Sequence, residues 1–279
     1  MTRRIVLTIG GSAAGLLLFI FLTILFIPAS ALLKTANRAL AQHGLTLSAI
    51  RVGKALPLGI TGEGITLSSA SGELLTISRG SLYFELLPLL TGKARISTSA
   101  TIGSGSLRAS FTAGRAVATS INLKNIRLED IPFFKNVAAV KASGILSGSV
   151  ETTGAIARAK GAIKLEVQGA EVSGIKIGEM PLPDAAYRTV QGMIRIDGGK
   201  GVIESFTLQG DDLYARLKGA LPLADPLPAT PLELSLELMP KPALLERQKL
   251  IFLLLLRFQD SPGHYQIPVK GTLGKPQVL

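Results

Sequence analysis

Apolar and polar residues alternate along several segments of the chain, and this alternation restricts its fold more than any other feature. The clearest segment is 232–238, in which four leucines are separated by Glu233, Ser235 and Glu237. The same period of two recurs at 94–102, 120–124, 163–168 and 213–218. Successive side chains of a β-strand point to opposite faces, so each segment predicts a strand with one apolar and one water-exposed face. Strands of that kind are typical of antiparallel sheets.

Glycine and aspartate mark the turns between these segments. Residues 197–201 read Asp-Gly-Gly-Lys-Gly and residues 210–212 read Gly-Asp-Asp, each between two apolar stretches. These residue types supply the positive φ angles that tight hairpins need. Residues 192–219 are therefore predicted to form a three-stranded meander. No linker interrupts the chain after residue 44, and we predict one mainly β domain over 45–279.

Few segments favour helix. A short helix is predicted at 184–191, after Pro181 and Pro183, and a longer one at 243–258, where Pro240 and Pro242 mark the entry. Residues 250–256 are continuously apolar, which is too short a run to span a bilayer. Either a core helix or a helix at a membrane interface fits this run. A last strand is predicted at 265–271.

The N-terminal region predicts a membrane anchor. Residues 5–27 carry no charge and follow Arg3 and Arg4. As a helix they extend about 35 Å, enough for a hydrocarbon core of about 30 Å. We predict a cytoplasmic N-terminus at 1–4, a transmembrane signal-anchor at 5–27 and an amphipathic connector helix at 28–44. Cleavage after Ala31, which ends a small-residue site, is the alternative.

Many one-sided strands and few helices pose a packing problem. Either the sheet folds on itself as a sandwich or barrel, or it stays a curved gutter whose lining is covered by an apolar ligand. In the second case leucine-rich strands would line the groove, although the same residues suit an ordinary core. The candidate lining consists of Ile163, Leu165, Val167, Phe206, Leu208, Leu213, Leu217, Leu232, Leu234, Leu236 and Leu238.

The residues of catalytic chemistry are sparse. The chain has no cysteine and only two histidines, His43 and His264, far apart in sequence. Asp197, Asp211 and Asp212 fall in turns, where aspartate is favoured for backbone reasons. We therefore predict no enzyme activity, no cofactor and no metal site.

The net charge of +11 could indicate a nucleic-acid partner. Lysine and arginine are scattered singly, however, and aromatic residues make up only 5% of the chain. Neither a basic cluster nor a stacking platform is present, so no nucleic-acid partner is predicted. Anionic lipid headgroups or an acidic protein partner fit a basic exported domain, and an ordinary solvated basic surface is the alternative.

Five segments carry a resemblance to a known family: 56–62 (LPLGITG), 82–93 (LYFELLPLLTGK), 142–150, 217–223 and 265–276 (YQIPVKGTLGKP). With these segments the chain resembles type II secretion system protein N in its longer form. The segment 82–93 is also similar to the unit of AsmA-like envelope proteins in which a strand, a leucine-rich corner, a glycine with a basic residue, and a second strand follow one another.

The resemblance implies a curved antiparallel sheet, shaped as an AsmA-like groove or taco, with a few short helices and one preceding transmembrane helix. It implies a non-enzymatic, single-pass inner-membrane protein of a Gram-negative bacterium with its C-terminal domain in the periplasm. Its role would be to assemble or stabilise the secretion apparatus through contacts with other envelope proteins of that system. The AsmA-like features imply, as the alternative, phospholipid binding or transfer along a hydrophobic β groove.

Overall fold

The computed structural model describes residues 34–35, 37–38, 40–41, 44–56, 58–85, 87–114, 117–154, 158–177, 180–222, 230–272 and 275–278. The strands are β1 (Leu45–Ala55), β2 (Gly59–Ser69), β3 (Gly72–Glu85), β4 (Ala94–Ile102), β5 (Gly105–Ala113), β6 (Ala118–Arg127), β7 (Lys141–Thr153), β8 (Lys160–Ser173), β9 (Lys176–Ile177), β10 (Met180–Pro181), β11 (Ala185–Asp197), β12 (Lys200–Gly210), β13 (Leu213–Pro222), β14 (Glu233–Pro240), β15 (Gln259–Ser261), β16 (His264–Thr272) and β17 (Lys275–Val278). The helices are α1 (Pro132–Asn136), α2 (Pro242–Arg247) and α3 (Lys249–Leu255), with 3-10 turns at Leu87–Thr91, Leu128–Asp130 and Leu256–Phe258.

One antiparallel sheet contains all of these strands except β9 and β10, which pair only with each other. Its strand order follows the chain, β1 to β8 and then β11 to β14, before β16. Strand β1 pairs only with β2, whereas β15 and β17 share the outer edge of β16. The two ends of the sheet do not pair with each other, so the sheet is open. The predicted mainly β, curved antiparallel sheet is confirmed, as a single sheet and not as a sandwich or barrel.

Because the strands alternate in direction, the sheet has two long rims. We call the rim where β1, β3, β5, β7, β11, β13 and β16 begin the helical rim, since α1, α2 and α3 all lie in its connections. Helix α1 contacts both β3 and β7, which are four places apart in the strand order. One short helix can reach both strands only because the sheet curls around it.

The buried core lies beneath α2 and α3, in the C-terminal half of the sheet. Leu244 and Leu255 are fully buried there, and the ring of Phe252 lies 5.4 Å from that of Tyr265. The cluster consists of Ala170, Tyr187, Val190, Leu213, Ala215, Leu238, Leu244, Phe252, Leu255, Tyr265 and Ile267. The predicted helix at 243–258 is thus confirmed, with a break at Gln248. The side-chain amide of Gln248 accepts a hydrogen bond from the backbone N–H of Asp184 at 2.9 Å and donates one to the backbone carbonyl of Asp184 at 2.6 Å.

The predicted helix at 184–191 is wrong, because these residues begin β11. Tyr187 and Val190 are both buried although they are three residues apart. A β-bulge between Tyr187 and Thr189 produces this spacing. One extra residue in a strand changes a period of two into a period of three, which resembles the helical pattern. The meander at 192–219 is confirmed as β11, β12 and β13, and β17 follows the strand predicted to be the last.

The connector predicted at 28–44 is described only in part, with residues 34–35, 37–38 and 40–41 helical. Within it, the Asn37 side chain accepts a hydrogen bond from the Leu47 N–H at 2.6 Å and donates one to the Leu47 carbonyl at 2.7 Å. It therefore occupies the place that a neighbouring strand would take on β1. The predicted anchor at 5–27 lies outside the described residues. None of the helices that are described combines the length and apolar character needed to cross a membrane.

Replacing Asn37 by alanine is expected to loosen the start of β1, because both hydrogen bonds to Leu47 are lost. Each such bond contributes about 1 kcal/mol, so the opening free energy at Leu47 should fall by about 1–2 kcal/mol. Amide hydrogen exchange resolved at Leu47 measures this change. Asn122→Ala, on the exposed surface of β6, is the control and should leave this exchange unchanged. Equal exchange in both variants would contradict the role assigned to Asn37.

Candidate functional site

The strand register places apolar residues of successive strands directly opposite one another. One row crosses twelve strands, and Thr98 is its only polar member. It runs through Ile60, Leu82, Thr98, Ala109, Ile121, Val150, Ile163, Ile194, Ile203, Gly219, Leu234 and Val269. Neighbouring strands lie about 4.8 Å apart, so this row extends about 50 Å across the sheet.

Two further rows lie on the same face. The second contains only apolar residues and glycines, namely Gly80, Ala100, Leu107, Leu123, Gly148, Leu165, Gly192 and Phe206. The third runs from β6 to β16 through Ile126, Leu146, Val167, Val190, Leu208, Ala215, Leu238 and Tyr265. We call the surface made by these three rows the apolar face. It is continuous from β2 to β16.

Burial varies along the apolar face. In its C-terminal part, the residues nearest the helical rim belong to the core beneath α2 and α3. That core includes no described residue of β1 to β7. There Leu82 is 41% exposed and Ile121 and Val150 are half-buried, whereas Ala100 and Ile126 are buried. The N-terminal part of the face therefore presents aliphatic side chains that the described helices leave uncovered.

The structure places all eleven predicted lining residues in the C-terminal half, ten on strands and Leu232 just before β14. Leu213, Leu232 and Leu238 are buried, and Val167, Phe206, Leu208 and Leu236 pack against the buried core. Ile163, Leu165, Leu217 and Leu234 are half-buried, outside that core. The sequence prediction missed the N-terminal part of the face, including Ile121, which lies in a segment already recognised as alternating.

The opposite surface, which we call the polar face, carries cross-strand ion pairs. Glu63 lies between Arg51 and Arg79, at 3.6 and 3.8 Å, and Arg195 lies 2.6 Å from Glu204. Exposed pairs of this kind contribute about 0–1 kcal/mol each. These charged groups favour exposure of the polar face to water. The apolar face is therefore the side of the sheet whose burial would be favourable.

Part of the polar face is a shallow depression of about 600 Å³. Asn122, Lys124, Ser149, Lys164 and Gln191 contribute to its lining. Within the described part of the chain, neither lysine forms an ion pair, unlike Lys218, which lies 2.7 Å from Glu237. The depression therefore offers two lysines without ion pairs, together with the Glu166 carboxylate and several hydroxyl and amide groups.

Among the described residues, the ionisable groups with shifted pKa values include two surface pairs and a buried tyrosine. A hydrogen bond and the charge of Arg188 lower the pKa of Asp211, and a hydrogen bond from His264 lowers the pKa of Asp260. Burial raises the pKa of Tyr187 to about 12, so its hydroxyl stays protonated at neutral pH. Across the described ranges, no three His, Asp or Glu residues come together as metal ligands would.

No protein-family model, curated protein or solved structure matches the chain. The apolar face and the polar depression are therefore interpreted from their own geometry and chemistry.

Proposed function

We propose that this protein is a non-enzymatic component of the cell envelope that binds the acyl chains of phospholipid along its apolar face. The observation that carries the proposal is the row of apolar side chains that continues in register across twelve strands. The AsmA-like resemblance supports the same proposal, and the predicted anchor at 5–27 would place the sheet beside the inner membrane.

The chemistry of the face favours a hydrocarbon occupant. The backbone N–H and C=O groups within the sheet are hydrogen-bonded to neighbouring strands. The side chains of the row offer almost no further donors or acceptors. Covering apolar surface gains about 25 cal/mol for each Å² removed from water. An acyl chain makes that gain without bringing polar groups that would lose their hydrogen bonds to water.

The length of the row suits more than one chain. A hydrocarbon core of about 30 Å contains two leaflets, so one acyl chain occupies about 15 Å of depth. A row of about 50 Å accommodates about three chains end to end. A pocket for a single lipid molecule would not need this length. The length instead favours a surface along which lipid moves.

The experiment uses two neighbouring residues on opposite faces. Ile163 belongs to the apolar face, and Lys164 faces the polar depression. A photoreactive phenylalanine analogue is placed at one position or the other in the full chain, cells are illuminated, and adducts are identified by mass spectrometry. We expect a phospholipid adduct from position 163 and none from position 164. Equal lipid labelling at both positions, or none at 163, would refute lipid binding on this face.

The second candidate function is assembly of a type II secretion apparatus through protein contacts, as the sequence resemblance implies. Lys124 and Lys164 leave the polar depression with a net positive charge against the single carboxylate of Glu166, which favours an acidic protein partner there. With the photoreactive analogue at Gln191, which lines the same depression and leaves both lysines in place, this function predicts a protein adduct that disappears when Lys124 is changed to glutamate. A lipid adduct from the apolar face supports the first function, and a protein adduct from the polar face supports the second.

A further inference from the structure

Helix α3 presents apolar side chains on two sides. Phe252 and Leu255 are 4% and 0% exposed, since they pack into the core. Leu250, Leu253 and Leu254 are 79%, 50% and 58% exposed. Residues three and four apart share one face of a helix, so these three leucines form one outward stripe. Leu256, 50% exposed, extends the stripe into the next turn.

Cations border this stripe. Lys249 precedes it and Arg257 follows it, and no acidic residue lies between Arg247 and Gln259. Neither cation forms an ion pair with a residue that the structure describes. The Arg257 guanidinium carbon lies 4.5 Å from the centre of the Phe258 ring, which holds this charge beside the leucines. We call Leu250, Leu253, Leu254 and Leu256, with Lys249 and Arg257, the leucine patch.

The leucine patch lies on the helical rim. Strand β1 begins at Leu45 on the same rim, directly after the connector that leads from the predicted anchor at 5–27. The chain therefore enters the described sheet at the rim that carries the leucine patch. A membrane anchor at 5–27, as the sequence predicts, would bring a bilayer towards this rim.

We propose that the leucine patch inserts into the surface of an anionic phospholipid bilayer. Leucines on an exposed helix enter the boundary between headgroups and acyl chains, while lysine and arginine beside them bind lipid phosphates. A second copy of the chain is a poorer occupant, because a two-fold contact through this patch would bring the cations Lys249 and Arg257 of one copy close to those of the other. The proposal goes beyond lipid binding on the apolar face and does not depend on it.

The absence of tryptophan from the chain provides the test. Leu254→Trp introduces the only tryptophan of the full-length protein into the patch. The variant is reconstituted into vesicles of anionic phospholipid with brominated acyl chains, and its tryptophan emission is measured. We expect blue-shifted emission that is strongly quenched relative to unbrominated vesicles. Met193→Trp, on the polar face, is the matched control and should not be quenched. Similar quenching of both variants, or of neither, would overturn the proposal.

Charge is tested in the Leu254→Trp background. Lys249→Glu combined with Arg257→Glu should weaken the quenching in anionic vesicles, and circular dichroism should be unchanged because both side chains are exposed. Unchanged quenching in the folded double variant would refute the requirement for anionic lipid. A blue shift without bromine-dependent quenching would overturn the proposal and assign the patch to a contact between copies of this chain. Crosslinking at position 163 reports on the apolar face independently of these results.

Discussion

Replacing Phe252 by alanine lowers the free energy of unfolding by about 3–5 kcal/mol, the usual cost of removing a buried aromatic ring. Phe252 is 4% exposed and packs against Tyr265, so its loss leaves a cavity between α3 and β16. Denaturant unfolding followed by circular dichroism measures this change.

The same helix supplies the control for this prediction. Leu253 follows Phe252 directly but is 50% exposed, and Leu253→Ala should change the unfolding free energy by less than about 0.5 kcal/mol. Equal losses in the two variants would mean that α3 is not held by its inner side, and the leucine patch would then need another explanation.

Replacing Gly219 by valine is expected to destabilise the sheet by about 2–4 kcal/mol, because two effects combine there. Gly219 has a φ of +137°, which a β-branched residue rarely adopts. A Cβ atom at this position would also lie 2.2 Å from the Glu233 carbonyl oxygen on β14. The pairing of β13 with β14 must therefore shift, and thermal unfolding monitored by circular dichroism should show a lower midpoint.

Ala220 provides the matched control, since it is the next residue on β13 and pairs with Glu233. Ala220→Val keeps an ordinary strand conformation and adds a residue with high β propensity. It should leave the unfolding midpoint nearly unchanged. If both variants lowered the midpoint equally, the effect would reflect added volume and not the backbone conformation of Gly219.

The alternation of residues was sufficient to predict strands, but not the register between them. The alternation in segments such as 163–168 and 232–238 predicts one apolar face for each segment. The structure places the apolar residues of both segments on the same surface of the sheet. The missed part of that surface lies in β2 to β7, where alanine, threonine and glycine dilute the apolar signal. The pairing of Ile121 with Val150 was out of reach as well, because a helical connection and a register shift separate β6 from β7.

Two other features were beyond reach of the pattern for physical reasons. The bulge at Tyr187 gives buried positions a helix-like spacing, so the start of β11 resembled a helix. The run 250–256 is apolar at every position, and it therefore has no periodicity to show which side faces the core. Only the packing of Phe252 and Leu255 distinguishes the inner side from the outer one.

The strand order has a consequence for how the molecule is made. From β1 to β8 every strand pairs with the strand synthesised immediately before it. Most of these hairpins close a short loop, and the longest connection, 128–140, contains α1. Loop closure costs little when few residues are enclosed. The sheet can thus form one hairpin at a time as the chain emerges from a ribosome or a translocation channel. No early strand in this part of the sheet needs to pair with one that is synthesised much later. By the same logic, gaining or losing one hairpin would lengthen or shorten the gutter without rearranging the rest.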